Sequence, residues 1–172
     1  MDAQIEIQNL AEAIAADPHN ADLHYDLASV YHDAGRWQEA IREYLTVIDL
    51  NPSNDAVYND LGMIYEHLGD SAMAEDTYRQ AIALDPQDAT SYHNLGLFYQ
   101  AQGRIADARQ ELEQALALAT DANEAQETQA AINGLSPDII ATTQPAVGTV
   151  TAIPLVGKTF CPRAAAYIID NL

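Results

Sequence analysis

Three stretches of the chain repeat one another at a fixed interval of 34 residues. "YDLASVYHDAGRWQEAIREYLTVIDLNPSN" begins at Tyr25, "NDLGMIYEHLGDSAMAEDTYRQAIALDPQD" at Asn59 and "YHNLGLFYQAQGRIADARQELEQALALATD" at Tyr92, one residue ahead of the register. Leu27, Leu61 and Leu95 fall in one column, Tyr31, Tyr65 and Tyr99 in a second, and Gly35, Gly69 and Gly103 in a third. Ala40, Ala74 and Ala108 keep the same interval, as do Pro18, Pro52 and Pro86. A period of this length means that one small structural unit is built several times and stacked on itself.

Each unit divides at its glycine. Ahead of Gly69, Tyr58, Leu61, Gly62 and Tyr65 recur in steps of three and four; behind it, Ala74, Tyr78, Ala81 and Ile82 do so again. Such steps place each set on one stripe of an α-helix. Gly69 can take the left-handed conformation that closes the first helix, and Pro86 stops the second. Asn20, Asn54 and Asp88 stand at the N-cap of the helix that follows. One hairpin has two apolar stripes and no means of burying both. Stacking at least three buries them, with small residues (Ala28, Gly62, Gly96 and the Ala40, Ala74, Ala108 column) admitting close helix approach.

These residues resemble the tetratricopeptide repeat, a 34-residue helical hairpin with the pattern W-x₂-L-G-x₂-Y, A-x₃-F and P. The second copy supplies Tyr58, Leu61, Gly62, Tyr65, Ala74, Tyr78 and Pro86; the third supplies Tyr92, Leu95, Gly96, Tyr99, Ala108 and Leu112; the first supplies Leu27, Tyr31, Ala40, Tyr44 and Pro52. His24, Tyr58 and Tyr92 fill the tryptophan column, Ala28 replaces a glycine, and Thr120 replaces the third proline. The resemblance implies an all-α, right-handed superhelical stack of helix-turn-helix repeats. It predicts a half repeat over 2–20, repeats over 21–54, 55–88 and 89–122, a polar cap helix over 123–135, and a non-repeat linker and tail over 136–172. Residues from Ser136 onward lie outside the pattern and are expected to be dispensable for folding.

The net charge is −19, from seven Lys and Arg against 26 Asp and Glu, and Lys158 is the single lysine. That surface repels phosphate backbones and anionic lipid, which argues against nucleic-acid and membrane partners and favours a basic or apolar one. Cys161 is alone, so no internal disulfide forms. The acidic start "MDAQIEIQNL" lacks the basic, apolar character of a signal peptide, and no apolar run reaches the ~18 residues of a membrane span. A cytoplasmic location is the expectation.

No motif points to chemistry. "AIPLVGKT" (152–159) is similar to a phosphate-binding loop, but Ala152 takes the first glycine position and Pro154 has no amide to donate. Nucleotide binding through it is the remote alternative. His32, His67 and His93 fall on the first helices of successive repeats, opposite the Leu-Tyr stripe, where they could approach one another or titrate. No spacing of His or Cys suits a metal, and no serine sits in a nucleophile motif. The expectation is a non-enzyme without cofactor or metal.

In the family resembled, the first helices line a concave groove that receives peptides or partner helices. Its positions map here to Asp22, Tyr25, Ser29, His32 and Asp33; to Ala56, Asn59, Met63, Glu66 and His67; and to Thr90, His93, Leu97, Gln100 and Ala101. None is Lys or Arg, whereas family members that clamp chaperone carboxylates use cations on these faces. The implied role is an interaction module or assembly scaffold that binds a basic or mixed apolar-basic segment of another protein. The alternatives are a self-associating array, which makes a homo-oligomer, and an array whose own tail plugs the groove.

Overall fold

The structure is a computed structural model; residues 3–135 are described, and they lie within the first of two units, Met1–Pro137 and Asp138–Leu172. The nucleotide-loop match at 152–159 and the plugging tail lie outside the described residues. Among the described residues eight helices follow one another: α1 (Ala3–Ala16), α2 (Ala21–Asp33), α3 (Trp37–Leu50), α4 (Asp55–His67), α5 (Ser71–Leu84), α6 (Ala89–Ala101), α7 (Ile105–Leu118) and α8 (Ala122–Gly134). No strand occurs among them. Helices α2/α3, α4/α5 and α6/α7 form three hairpins, stacked in sequence order and flanked by α1 and α8.

The turns explain why the period is so regular. Gly35, Gly69 and Gly103 have φ of 70°, 78° and 72°, the left-handed region that only glycine enters at little cost. In each turn the residue after the glycine donates its N–H to the carbonyl of the repeated tyrosine: Arg36 to Tyr31 (2.8 Å), Asp70 to Tyr65 (2.9 Å) and Arg104 to Tyr99 (2.9 Å). The glycine N–H returns to the helix at the same time, so two otherwise orphaned carbonyls are satisfied at each helix end.

The N-caps follow the expectation at two of three places. Asn20 accepts from the Asp22 and Leu23 amides and Asp88 from those of Thr90 and Ser91, whereas the Asn54 side chain makes no cap bond. There, Asp55 supplies negative charge in the first turn instead.

The core is the repeated stripe made solid. Leu27, Leu61, Leu95, Tyr44, Tyr78, Leu112, Val47, Ala81 and Ala115 are all buried. Two glycines are required by close approach. A Cβ on Gly62 would lie 2.5 Å from the Tyr78 ring, and one on Gly96 would lie 2.7 Å from Leu112 Cγ and 3.2 Å from its backbone nitrogen. His24, in the tryptophan column, is buried with Nδ1 2.7 Å from Glu43 Oε2 and Nε2 3.2 Å from the Pro18 carbonyl. Leu135, just past α8, also joins the core.

Candidate functional site

The even-numbered helices α2, α4, α6 and α8 begin each repeat; we call them the A helices and the others the B helices. The fifth position of each A helix ties it to the next one. Tyr25 lies beside the Asp60 carboxylate on α4. The Asn59 amide donates to Ser91 Oγ on α6 at 2.7 Å, and His93 Nδ1 meets Thr128 Oγ1 on α8 at 2.8 Å. The resemblance places Tyr25, Asn59 and His93 among the groove positions. The structure gives each an inter-repeat partner, and Asn59 is only 7% exposed. Ser91 passes the Asn59 bond on to Asp88 at 2.5 Å, so this tie ends at the cap of α6. Burial holds the His93 imidazole below its usual value, against the pull of Glu127 and Glu124 on α8.

The three histidines do not meet one another. His32 and His67 both pack on Trp37, with ring centroids 5.4 and 4.3 Å away. Sequence reasoning missed Trp37, which opens α3. As the only tryptophan, it falls in no repeated column.

Asp60 was missed as well. It sits on the same face as the expected residues, half-buried among Tyr25, Tyr44 and His32. Burial holds its carboxyl above the usual carboxylate range, and the Tyr25 and Tyr44 hydroxyls and His32 draw it partly back. Burial and the Asp60 and Asp26 charges push the Tyr25 hydroxyl up to about 12, so it stays a donor at neutral pH. Tyr44 packs edge-on to Tyr25 at 5.6 Å, and its hydroxyl reaches Ser29 Oγ at 3.4 Å. One repeat on, the Tyr78 hydroxyl donates to Glu66 Oε2 at 3.3 Å. Beside these pairs Met63 and Leu97 stand exposed at 41% and 39%. Asp22, Asp33 and His67 are exposed; Ser29, His32 and Gln100 are half-buried.

Charge is segregated between the two sets of helices. No Lys or Arg occurs on α1, α2, α4, α6 or α8. Arg36, Arg79, Arg104 and Arg109 lie on the B helices or their N-caps and pair with B-helix acids: Glu39, Glu75, Asp107 and Glu113. Among the described residues, no arginine pairs with an acid of an A helix.

Where α2 meets α1 there is a cleft of about 570 Å³, lined by Ala3, Glu6 and Leu10 on α1 and by Asp26, Ser29, Val30, Asp33 and Ala34 on α2. Among the described residues no group of three His, Cys, Asp or Glu is placed to hold a metal ion, and no helix is long and apolar enough to cross a membrane.

The same architecture recurs in solved structures. A crystal structure of MamA matches at 22% identity and TM-score 0.64, over 78% of this chain and 86% of that one. The thermophilic tetratricopeptide protein TTC0263 of Thermus thermophilus matches at 21% identity and TM-score 0.65, over 74% and 71%. The Arabidopsis OM64 tetratricopeptide domain matches at 18% identity and TM-score 0.58, over 66% and 93%. These likenesses concern the fold. A search of curated protein sequences gives no match. Two family models, both described as Tetratricopeptide repeat, match residues 19–87 and 77–110 and so jointly span more than half of the chain. With the repeated turns, the buried columns and the stacked helical hairpins, the chain belongs to the tetratricopeptide-repeat family.

Proposed function

We propose that this non-enzymatic interaction scaffold takes a basic, partly apolar segment of another protein on the face formed by α2, α4 and α6. The observation that carries the reading is the charge segregation: the arginine pairs stay among B-helix acids, while the A-helix face keeps Asp22, Asp33, Asp60 and Glu66 without a Lys or Arg. Acids gathered on one face reinforce one another's field and speed encounter with a cation. Exposed charges in water contribute only about 0–1 kcal/mol each. Met63 and Leu97, exposed on the same face, therefore supply much of the affinity and the acids much of the selectivity.

Binding to an array of immobilised 15-residue peptides graded in net charge and apolar content tests this. Retention is expected to rise with positive charge when apolar residues are present. Asp33→Lys with Glu66→Lys should slow association and flatten its salt dependence. Retention that ignores peptide charge and the double reversal would refute the reading.

A further inference from the structure

Among the described residues the arginines keep to the B helices and their caps, and the histidines do the reverse. His24, His32, His67 and His93 lie on A helices, His19 lies in the turn ahead of α2, and α1, α3, α5 and α7 hold none. Helices α2, α4 and α6 therefore have no permanent cation, only side chains that become cations by taking up a proton. Two of the four are committed elsewhere. His24 is buried against Glu43 and the Pro18 carbonyl. His93 meets Thr128, and burial holds its imidazole below its usual value. His32, half-buried, and His67, exposed, remain on the face.

Trp37 fixes where these two rings sit. Its ring centroid lies 5.4 Å from that of His32 and 4.3 Å from that of His67, so the start of α3 bridges α2 and α4. The other B helices place Ala3, Ser71 and Ile105 in its column, and the bridge belongs to this repeat. A ring that gains a proton becomes a cation within ~6 Å of an indole centre, where the π face attracts it. The new charge is held at the face instead of turning away into water.

The surroundings are acidic. His32 Nδ1 is 3.9 Å from Asp33 Oδ1, and His32 also acts on the Asp60 carboxylate of α4. Glu6 of α1 and Asp26 of α2 line the cleft that Asp33 shares. Next to His67 stands Glu66, which accepts from the Tyr78 hydroxyl, and Asp70 caps α5. The start of α3 adds Arg36 and Glu39, bound to each other. Helix α6 adds no acid and no arginine. Asp22, Asp26, Asp33, Asp55, Asp60 and Glu66 are the acids of α2 and α4, so two imidazolium charges offset a substantial share of their field.

We infer that His32 and His67, gathered on Trp37, make this face release its ligand on acidification, a role that rests on reading the face as a surface for basic segments. Protons and cationic side chains compete for the same acids. Binding is strongest where both rings are neutral and weakens as pH falls through the range in which histidine ordinarily titrates. By reciprocity, a bound cationic segment opposes proton uptake by both rings. Asp60, whose carboxyl burial holds above the usual carboxylate range, loses charge in the same direction and is the rival sensor.

The test uses the full chain and a rhodamine-labelled, histidine-free 15-residue peptide of Arg, Leu and Ser. Anisotropy titrations are run at pH 7.5 and pH 5.5 in low salt, where exposed charges are least screened. The parent should bind roughly fivefold or more weakly at pH 5.5. His32→Gln with His67→Gln keeps both side chains polar and uncharged and should remove most of that difference. Asp60→Asn should retain it. Without peptide, the emission of Trp37, the only tryptophan, should fall between pH 7.5 and pH 5.5 as imidazolium quenches the indole, and should hold steady in the double variant. A pH difference that survives the double variant, or that disappears in Asp60→Asn, overturns the proposal. So does steady Trp37 emission in the parent. Equal binding at the two pH values overturns the release and leaves the reading of the face intact. No binding at either pH refutes that reading and the release with it.

Discussion

At the scale of single residues, Gly62 and Asp60 carry opposite lessons. Gly62 was legible because a glycine between a leucine and a tyrosine column, at helical spacing, has one structural use. Its neighbour, Tyr78, is buried and hydrogen-bonded to Glu66, so its ring cannot swing away. A methyl at Gly62 meets that ring at 2.5 Å. Overpacking costs about 1–3 kcal/mol, and the gain in helix propensity returns about 1 kcal/mol. Gly62→Ala should lower stability by on the order of 1 kcal/mol, read as an earlier urea midpoint.

Asp60 was not legible, because its column holds Asp26, Asp60 and Asn94 and looks like a solvated surface. Its environment is made by Tyr25, Tyr44 and His32, which reach it across helices. Its carboxyl is raised in the folded state by burial, so the ionised form is penalised there at neutral pH. The penalty fades as pH falls through the folded value toward the unfolded one. Asp60→Asn should thus be more stable than the parent at pH 7, with the difference shrinking toward pH 4 in parallel urea titrations. A carboxylate kept at a stability cost fits a role in binding. A neutral or destabilising Asp60→Asn at pH 7 contradicts this.

At the scale of helices, the sequence pattern announced the turns and stripes but not the ties between neighbours. Gly35, Gly69 and Gly103 mark the turns because only one residue type suits a positive φ. The fifth-position contacts use three unlike residues, Tyr25, Asn59 and His93, and reach different positions on the next helix. No column records them. The last tie matters most for the end of the array, since α8 presents few apolar residues and buries Thr128 and Ile132. Thr128→Val keeps the shape and leaves His93 without its hydroxyl partner. An unsatisfied, partly buried group costs about 1–3 kcal/mol. Hydrogen exchange should show α8 opening more readily in this variant while α2 to α5 keep their protection.

At the scale of the array, the fold was legible because its unit is written three times and each copy checks the others. The residues of the proposed binding face follow from the family resemblance taken together with helical geometry. Their division into ties (Tyr25, Asn59, His93), packing on tryptophan (His32, His67) and open side chains (Asp22, Asp33, Met63, Leu97) depends on how successive A helices cross. That crossing appears only in three dimensions. The segregation of charge is a property of the array: among the described residues the arginines lie on the B helices or at their N-caps, and the A-helix face carries acids on α2 and α4 and apolar side chains on α4 and α6. The most direct measurement of the central claim is a two-dimensional NMR titration of the isotopically labelled full chain with the tightest cationic peptide from the immobilised array. The account predicts shift changes concentrated on α2, α4 and α6, led by Asp33, Asp60, Met63 and Leu97. Changes centred on α3, α5 and α7, or a spectrum that does not move at saturating peptide, would contradict it.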